Sequence, residues 1–492
     1  MSEAGEQGAR SVPWGGAWAA HGAPVAALKP VSVQQPTLIA SFSYDNVRTL
    51  RFDDSAKRWY RDPPTMENGG NGSGVPADLN YGLQDFQDKA HVPDPLDSVL
   101  YTLMHRADHP GDMDGVRGAP QVPAENVEME LLRANVITWR GIMTKLCTAW
   151  SCHVQAPLMF REGFSLNVMM VHGNARRADE QLGDTLIIEE TPPTVQEHAM
   201  QESKPKSRDQ VRNTYYGYNF ESFCTTDSPS AHTDARATGH PIGWGSAVDT
   251  NVQWCHIMKS RLGNARILMG GEVDCVETDS GRPTERVVEL KTNRELRTAE
   301  DEKRLNIKML KIYMQSFLLG VPVVVMGFRN NKGILSASKT YHTRDLPRMV
   351  RGKPYQWDAN HNLAFGSHLL AFLREAIGKE MEKWSFHITN AIRRNERYRG
   401  PYAWRVHRTT TGSFLGHLPL PAPEDAEQEY PVFRATFQPP FTGVSIRHVP
   451  PHELQFDGRR RERCGIVPTA FYRWVTEPMA DVVAEKGEGA AG

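Results

Sequence analysis

Charge of one sign is what this 492-residue chain lacks: 57 Lys and Arg stand against 58 Asp and Glu, a formal net charge of -1. That balance excludes a global field for a polyanion, so any nucleic-acid surface has to be local. Cysteine is scarce too. Cys147, Cys152, Cys224, Cys255, Cys275 and Cys464 lie singly along the chain, with no C-x-x-C pair and no close Cys/His group of zinc type. Such usage fits a reduced intracellular compartment. Long apolar runs are missing as well, since the longest, Val321 to Phe328, falls far short of the roughly 20 residues a membrane helix needs. The N-terminus opens acidic and Gly-rich instead of with a basic stretch leading into an apolar one. A soluble, non-secreted protein without a membrane partner is expected.

No internal repeat is present either, and the remainder mixes β-branched and aromatic runs with a few helical stretches, which favours one elaborated α/β domain. Residues 1–36, rich in Gly, Ala and Pro, read as a flexible arm. The domain then spans 37–477, with surface insertions at 63–77 (PPTMENGGNGSGVPA) and 418–429 (LPLPAPEDAEQE), followed by a flexible tail at 478–492. The clearest helix covers Ala299 to Leu319: Thr298 with Asp301 makes a capping box, Leu305, Met309, Ile312 and Leu319 recur at helical spacing, and Gly320 is the stop. Val321 to Phe328 then reads as a buried strand.

Chemistry concentrates in RILMGGEVDCVETDSGRPTERVVELKT, residues 266–292. Two β-prone runs flank TDSGRPTE, a turn-rich stretch suited to an antiparallel hairpin. Alternate strand residues share a face about 6 to 7 Å apart, so Glu272 pairs with Asp274 and Glu289 with Lys291. Hard divalent cations such as Mg²⁺ or Mn²⁺ favour carboxylate oxygens, activate water and hold a leaving oxygen, while a Lys stabilises transition-state charge. Either pair alone is commoner on the solvent face of a hairpin. Against that reading, the acids sit among Ile267, Leu268, Met269, Val273, Val276, Val287, Val288 and Leu290 and so need a partner, and Gly270-Gly271 admits a ligand or another backbone closely. Asp274, then Glu289 fifteen positions on, then x-Lys resemble the D-(D/E)-x-K nuclease superfamily.

With these residues in hand, most of 37–477 resembles the DXO/Rai family of eukaryotic RNA 5′-end quality-control enzymes. The likeness rests on FSYDNVRTLRFDDSAKRWY (42–60), VITWRGIMTKL (136–146), YYGYNFES (215–222), GGEVDCVE with VVELKT, and MQSFLLGVP (314–322), in family order. It implies an α/β (α+β) fold, a single domain of twisted mixed β-sheets flanked by helices around a D-(D/E)-x-K nuclease-like core. By the same resemblance Glu221, Glu272, Asp274 and Glu289, with the Leu290 carbonyl, hold two divalent cations, Mg²⁺ or Mn²⁺. Those four acids and Lys291 are the implied catalytic set, and Arg140, Lys291 and Gln315 the implied contacts to the 5′ phosphates, Arg as a fork and Lys as a point charge. The implied activities are removal of pyrophosphate from 5′-triphosphate RNA, release of incomplete or atypical caps including NAD caps, and 5′-to-3′ degradation.

Rival readings stand beside this one. By resemblance the chain could serve chiefly as a stabilising partner of the nuclear 5′-to-3′ exoribonuclease, which also implies a nuclear location. A D-(D/E)-x-K deoxyribonuclease fits the hairpin but leaves the other matches unexplained. Glu221, in an aromatic run, reads on its own as a strand's polar face, and Arg140 as a surface ion-pair member. Arg304, Lys308, Lys311 and Gln315 form one helical stripe that either guides an RNA backbone or is a plain solvated face. The run Arg459-Arg460-Arg461 carries little weight.

Overall fold

The computed structural model describes residues 10–13, 28–68, 75–89, 95–109, 122, 126–154, 164–171, 184–191, 207–228, 239–277, 286–353, 355–393, 405–408, 414–417, 432–437, 443–449, 454 and 463–476. The insertion at 418–429, the turn at 278–285, the run Arg459–Arg461 and the tail at 478–492 lie outside them.

Two mixed sheets organise these residues. In chain order, the elements that matter for the site begin with strand β1 (Val33–Tyr44) and helix α1 (Asp97–Asp108). Strand β2 (Val136–Trp139) leads directly into helix α2 (Arg140–Val154), and helix α3 spans Arg208–Cys224. Strands β3 (Gln253–Leu262), β4 (Ala265–Glu272), β5 (Cys275–Glu277) and β6 (Arg286–Arg294) follow. Helix α4 (Ala299–Leu319), strand β7 (Val323–Arg329) and helix α5 (Ala359–Arg393) complete the set.

The larger sheet runs Arg10–Pro13, Gly443–Val449, Val432–Phe437, Phe164–Val171, Thr185–Glu190, β2, β4, β3, β1, Leu50–Arg51. The smaller runs Leu335–His342, β7, β6, β5, Trp59–Tyr60, Thr225–Thr226. Parallel pairing of β4 with β2 and of β6 with β7, among otherwise mostly antiparallel neighbours, makes both sheets mixed. This is the expected α/β architecture. Helices α2, α4 and α5 pack against one face of each sheet, burying Met143, Leu146, Met309, Met314 and Leu369 with Met269 and Val324. Helix α1 covers the other face of the large sheet and α3 the other face of the small one.

Helix α4 has the predicted ends: the Thr298 hydroxyl accepts from the Asp301 N–H at 3.2 Å, the Asp301 carboxylate accepts from the Thr298 N–H at 3.0 Å, and Gly320 adopts φ 76°. The following strand starts at Val323, two residues later than expected. At the other end of the domain the sheet starts before Thr37: β1 opens at Val33, and Arg10–Pro13 from the expected arm pair with Gly443–Val449. A short segment with little to bury can still join an open sheet edge, because backbone pairing needs no apolar pattern.

The single hairpin expected over 266–292 is two structures. β5 and β6 do pair antiparallel, Cys275 opposite Val288, but Arg266–Glu272 belongs to β4 in the other sheet. Val273–Asp274 is the crossing between sheets, so Asp274 lies outside any strand and does not alternate with Glu272. Nor do Gly270 and Gly271 admit a ligand or backbone. A Cβ on Gly270 would meet Val99 at 2.5 Å and Trp139 at 2.9 Å, and one on Gly271 would meet Leu319 at 2.8 Å and Arg140 Cβ at 3.1 Å. Side chains of α1, α2, α4 and β2 take up that space.

Candidate active site

Glu221 stands on a helix, not on a strand. Ser207 and Gln210 form a capping box at the start of α3, and the aromatic residues that suggested a strand are buried at helical spacing, Tyr215 and Tyr216, then Phe220, then Phe223. The far end is clamped. Arg61 donates from Nε to the Phe223 carbonyl and from Nη2 to the Ser222 carbonyl, both at 3.4 Å, and its backbone N–H donates to the Cys224 carbonyl at 2.8 Å. Gly245 N–H donates to the Ser222 carbonyl at 2.9 Å. These donors meet carbonyls that a helix terminus leaves open, and they fix Glu221 one turn from the end.

Glu272 ends β4 with an exposed side chain, Asp274 follows at the crossing, and Glu289 and Lys291 share one face of β6, Glu289 being 3% exposed. The crossing brings Asp274 against the backbone of β6, where its Oδ2 accepts from the Leu290 N–H at 2.6 Å. Lys291 Nζ is hydrogen-bonded to Glu289, lies 3.9 Å from Asp274, and donates to the Leu290 carbonyl at 3.0 Å. Arg140, the first residue of α2, places Nη1 3.9 Å from Glu289 Oε2, and that nitrogen is buried with no hydrogen-bond partner. It is not a surface ion pair.

Negative charge is crowded here. Burial drives the Glu221 carboxyl well above its ordinary range, Asp274 and Glu272 push it further, and Lys291 only partly offsets them. Burial and then Glu289 raise Asp274 to about 7, against the pull of Lys291 and the Leu290 N–H. Burial alone would raise Glu289 too, but Lys291 and Arg140 outweigh it and hold that group below its ordinary value. Burial opposes the Lys291 charge, yet Glu289 and Asp274 keep the ammonium above its ordinary value. Among the described residues no three Asp, Glu, His or Cys side chains form a group with metal-ligand spacing. Instead the Lys291 ammonium sits between Glu289 and Asp274. The donor set is nevertheless that of a hard cation: carboxylates with unbalanced charge beside a backbone carbonyl, the chemistry a divalent ion would relieve.

Gln315 sits half-buried on α4, two turns along the same face from Lys308. The predicted stripe splits in two: Arg304 and Lys311 are exposed, Arg304 lying 3.6 Å from Glu300, whereas Lys308 turns inward and donates to the Thr292 carbonyl at 2.9 Å. The stripe marks Lys308 from sequence but not its inward turn, and Tyr218 carries no sequence mark as a site residue; burial raises the Tyr218 hydroxyl to about 12, with Glu221 and Glu272 adding to the effect. Its position one turn before Glu221 was the available signal.

Residues 34–400 match the family described as RAI1 like PD-(D/E)XK nuclease. The chain is 33% identical to a decapping nuclease RAI1 of Mycosarcoma maydis, over 93% of this chain and 90% of that protein. It is 31% identical to the human decapping and exoribonuclease protein, over 70% of this chain and 76% of that one. In fold it resembles Candida albicans Rai1, solved with pU5 and Mn²⁺, at 17% identity and TM-score 0.61, covering 95% of this chain and 99% of that one. It also resembles Scheffersomyces stipitis Rai1, solved with (3′-NADP)⁺ and calcium, at 18% identity and TM-score 0.59, covering 96% and 98%. Taken with the convergence of Glu221, Asp274, Glu289 and Lys291, the family match over most of the chain makes the assignment: this protein belongs to the RAI1-like PD-(D/E)XK nucleases and is a hydrolase acting on RNA.

Proposed function

We propose that this hydrolase processes RNA 5′ ends, removing pyrophosphate from 5′-triphosphate RNA, releasing incomplete or atypical caps including NAD caps, and degrading the body from 5′ to 3′. One observation carries the reading: acids from α3, the β4–β5 crossing and β6 gather around Lys291, next to the unpartnered Arg140 Nη1. The names of the relatives, decapping nuclease and exoribonuclease, support the substrate class, as do the nucleotide ligands solved with the fungal Rai1 proteins.

Glu221, Glu272, Asp274 and Glu289, with the Leu290 carbonyl, would hold two divalent cations, Mg²⁺ or Mn²⁺. When bound, the cations supply neutralising charge and Lewis-acid polarisation of water and phosphate. The chain's own groups do the rest. Arg140 Nη1 and Lys291 Nζ donate to non-bridging oxygens of the reacting phosphate, where charge builds as the attacking water approaches in line. Gln315 orients the same phosphate through its amide. Burial of Glu289 and Arg140 excludes bulk water and strengthens these contacts.

A chain acting only as a stabilising partner of the nuclear exoribonuclease would gain nothing from buried acids that repel one another, so their cost favours activity. Asp274→Ala or Glu289→Ala is expected to abolish hydrolysis of 5′-triphosphate RNA in Mg²⁺ or Mn²⁺ while circular dichroism stays unchanged. Full activity in either variant removes the proposal. Resolving products from 5′-triphosphate, 5′-monophosphate, GpppN-capped and NAD-capped RNAs then divides the activities.

A further inference from the structure

Strand β6 has an edge that opens onto the site. β5 pairs with it only from Glu277 opposite Arg286 to Cys275 opposite Val288, whereas β7 accompanies it on the other side as far as Arg294. Beyond Val288 no described strand covers the β5 side. Backbone groups of alternate residues point to one edge of a strand, and the Leu290 N–H on this edge is taken by Asp274. The carbonyls of Leu290 and Thr292 therefore project the same way, about 7 Å apart. Lys291 Nζ is tied to the first at 3.0 Å and Lys308 Nζ to the second at 2.9 Å. Two ammonium groups thus stand in a row along the open edge, one from β6 itself and one reaching across from α4.

Lys308 is unlike Lys291 in one respect. Glu289 is bonded to Lys291, but among the described residues no carboxylate is paired with Lys308. The charged neighbours acting on it are Lys291 from β6, Arg329 from β7 and Lys311 from its own helix, all cationic. An ammonium carries three donors, and the Thr292 carbonyl uses one. A half-buried cation in cationic company is unfavourable unless an anion joins it.

We propose that Lys308 binds a second phosphate of the RNA 5′ end, adjacent to the one held by Arg140 and Lys291. This rests on the 5′-end reading above and adds a specificity-determining residue to it. The second phosphate has two possible sources: the leaving side, as in the outer phosphates of a 5′-triphosphate, and the body side, as in the first internucleotide phosphate. The direction of the Lys308 shift, down to about 8 through burial and then its cationic neighbours, agrees with a charge awaiting a counterion.

The test compares wild type, Lys308→Met and Lys308→Arg. Turnover of 5′-triphosphate RNA is measured, and binding of inorganic pyrophosphate, a 5′-monophosphate nucleotide and a 5′-phosphorylated dinucleotide is followed by fluorescence competition, independent of turnover. Lys308→Met is expected to raise KM about tenfold with kcat within about twofold, as loss of one charge-assisted contact predicts. Lys308→Arg is expected to restore most of the loss. Weaker pyrophosphate binding places the contact on the leaving side; weaker dinucleotide binding with unchanged mononucleotide binding places it on the body side. Either result supports the proposal. Unchanged KM and unchanged binding of all three ligands in folded Lys308→Met would overturn it. So would a fall in kcat alone, the mark of a helix tether. If wild type fails to turn over triphosphate RNA, the 5′-end reading fails, while the binding series still decides the role of Lys308.

Discussion

Arg61 holds the carbonyl of Ser222, the residue after Glu221, at 3.4 Å from Nη2. The same guanidinium reaches the Phe223 and Gly243 carbonyls, so one side chain from the segment beside Trp59–Tyr60 closes the end of α3 and pins it to the 243–246 loop. A cation at a helix C-terminus is also favoured by the helix dipole. The position of Glu221, a proposed catalytic acid, thus depends on a guanidinium bonded to backbone carbonyls.

Arg61→Ala should therefore reduce activity without touching the reacting groups. Three carbonyls lose a charged donor, each such bond being worth about 1.5–3 kcal/mol, and the last turn carrying Glu221 becomes free to fray. A lower unfolding midpoint and at least about a tenfold drop in kcat with little change in KM are expected. Arg61→Lys keeps the charge but loses the fork, and should fall between. Full kcat in Arg61→Ala would show that α3 holds Glu221 by its buried aromatic face alone.

Cation binding should be visible as stability. Ions that bind the folded state and not the unfolded one add about 2.7 kcal/mol at one hundred times Kd, so Mg²⁺ or Mn²⁺ should raise the melting temperature and a chelator should reverse the rise. Asp274, held near 7, must give up a proton to bind. Apparent affinity should therefore strengthen as pH climbs from 6 to 8. Asp274→Asn and Glu289→Gln should lose both the melting shift and its pH dependence. An active wild type whose melting temperature ignores millimolar Mn²⁺ and Mg²⁺ would argue against the proposed ligand set.

How much of this could be seen in the sequence depended on range. Helix α4 was legible to the residue because its signals, Thr298, Asp301 and Gly320, act within one turn. The pairing of Glu289 with Lys291 was legible for the same reason, since strand alternation is local. The split of 266–292 between two sheets was not, because Val273–Asp274 contains neither Gly nor Pro and only the partners β3 and β6 reveal it. Glu221 was assigned to the site by resemblance, while its run of Tyr and Phe pointed to a strand; the correct signal, burial at steps of three and four residues, needs the packed face to be known. Lys308 illustrates the remaining gap. Periodicity put it on a stripe with Arg304 and Lys311, and could not say that it alone turns toward the edge of β6.

Glu189, on the strand beside β2, is 6% exposed, and its Oε2 has no hydrogen-bond partner. Burial raises its carboxyl to about 7, with Asp97 adding to the rise and Arg463, the Asn167 amide and the Leu96 N–H opposing it. The folded protein thus keeps a proton on Glu189 up to about pH 7, whereas the unfolded chain loses it near 4.5, the ordinary value for Glu. A native state that binds more protons is favoured at low pH, so this group's contribution is fully present below about 4.5 and disappears as pH rises through 7. A shift of that size corresponds to at most about 3 kcal/mol. Glu189→Gln keeps the shape and removes the titration, so it should match wild type at pH 5 and melt higher at pH 8. Melting curves at the two pH values decide the matter: an equal change at both would mean that Glu189 is already ionised in the folded protein, with Arg463 neutralising it.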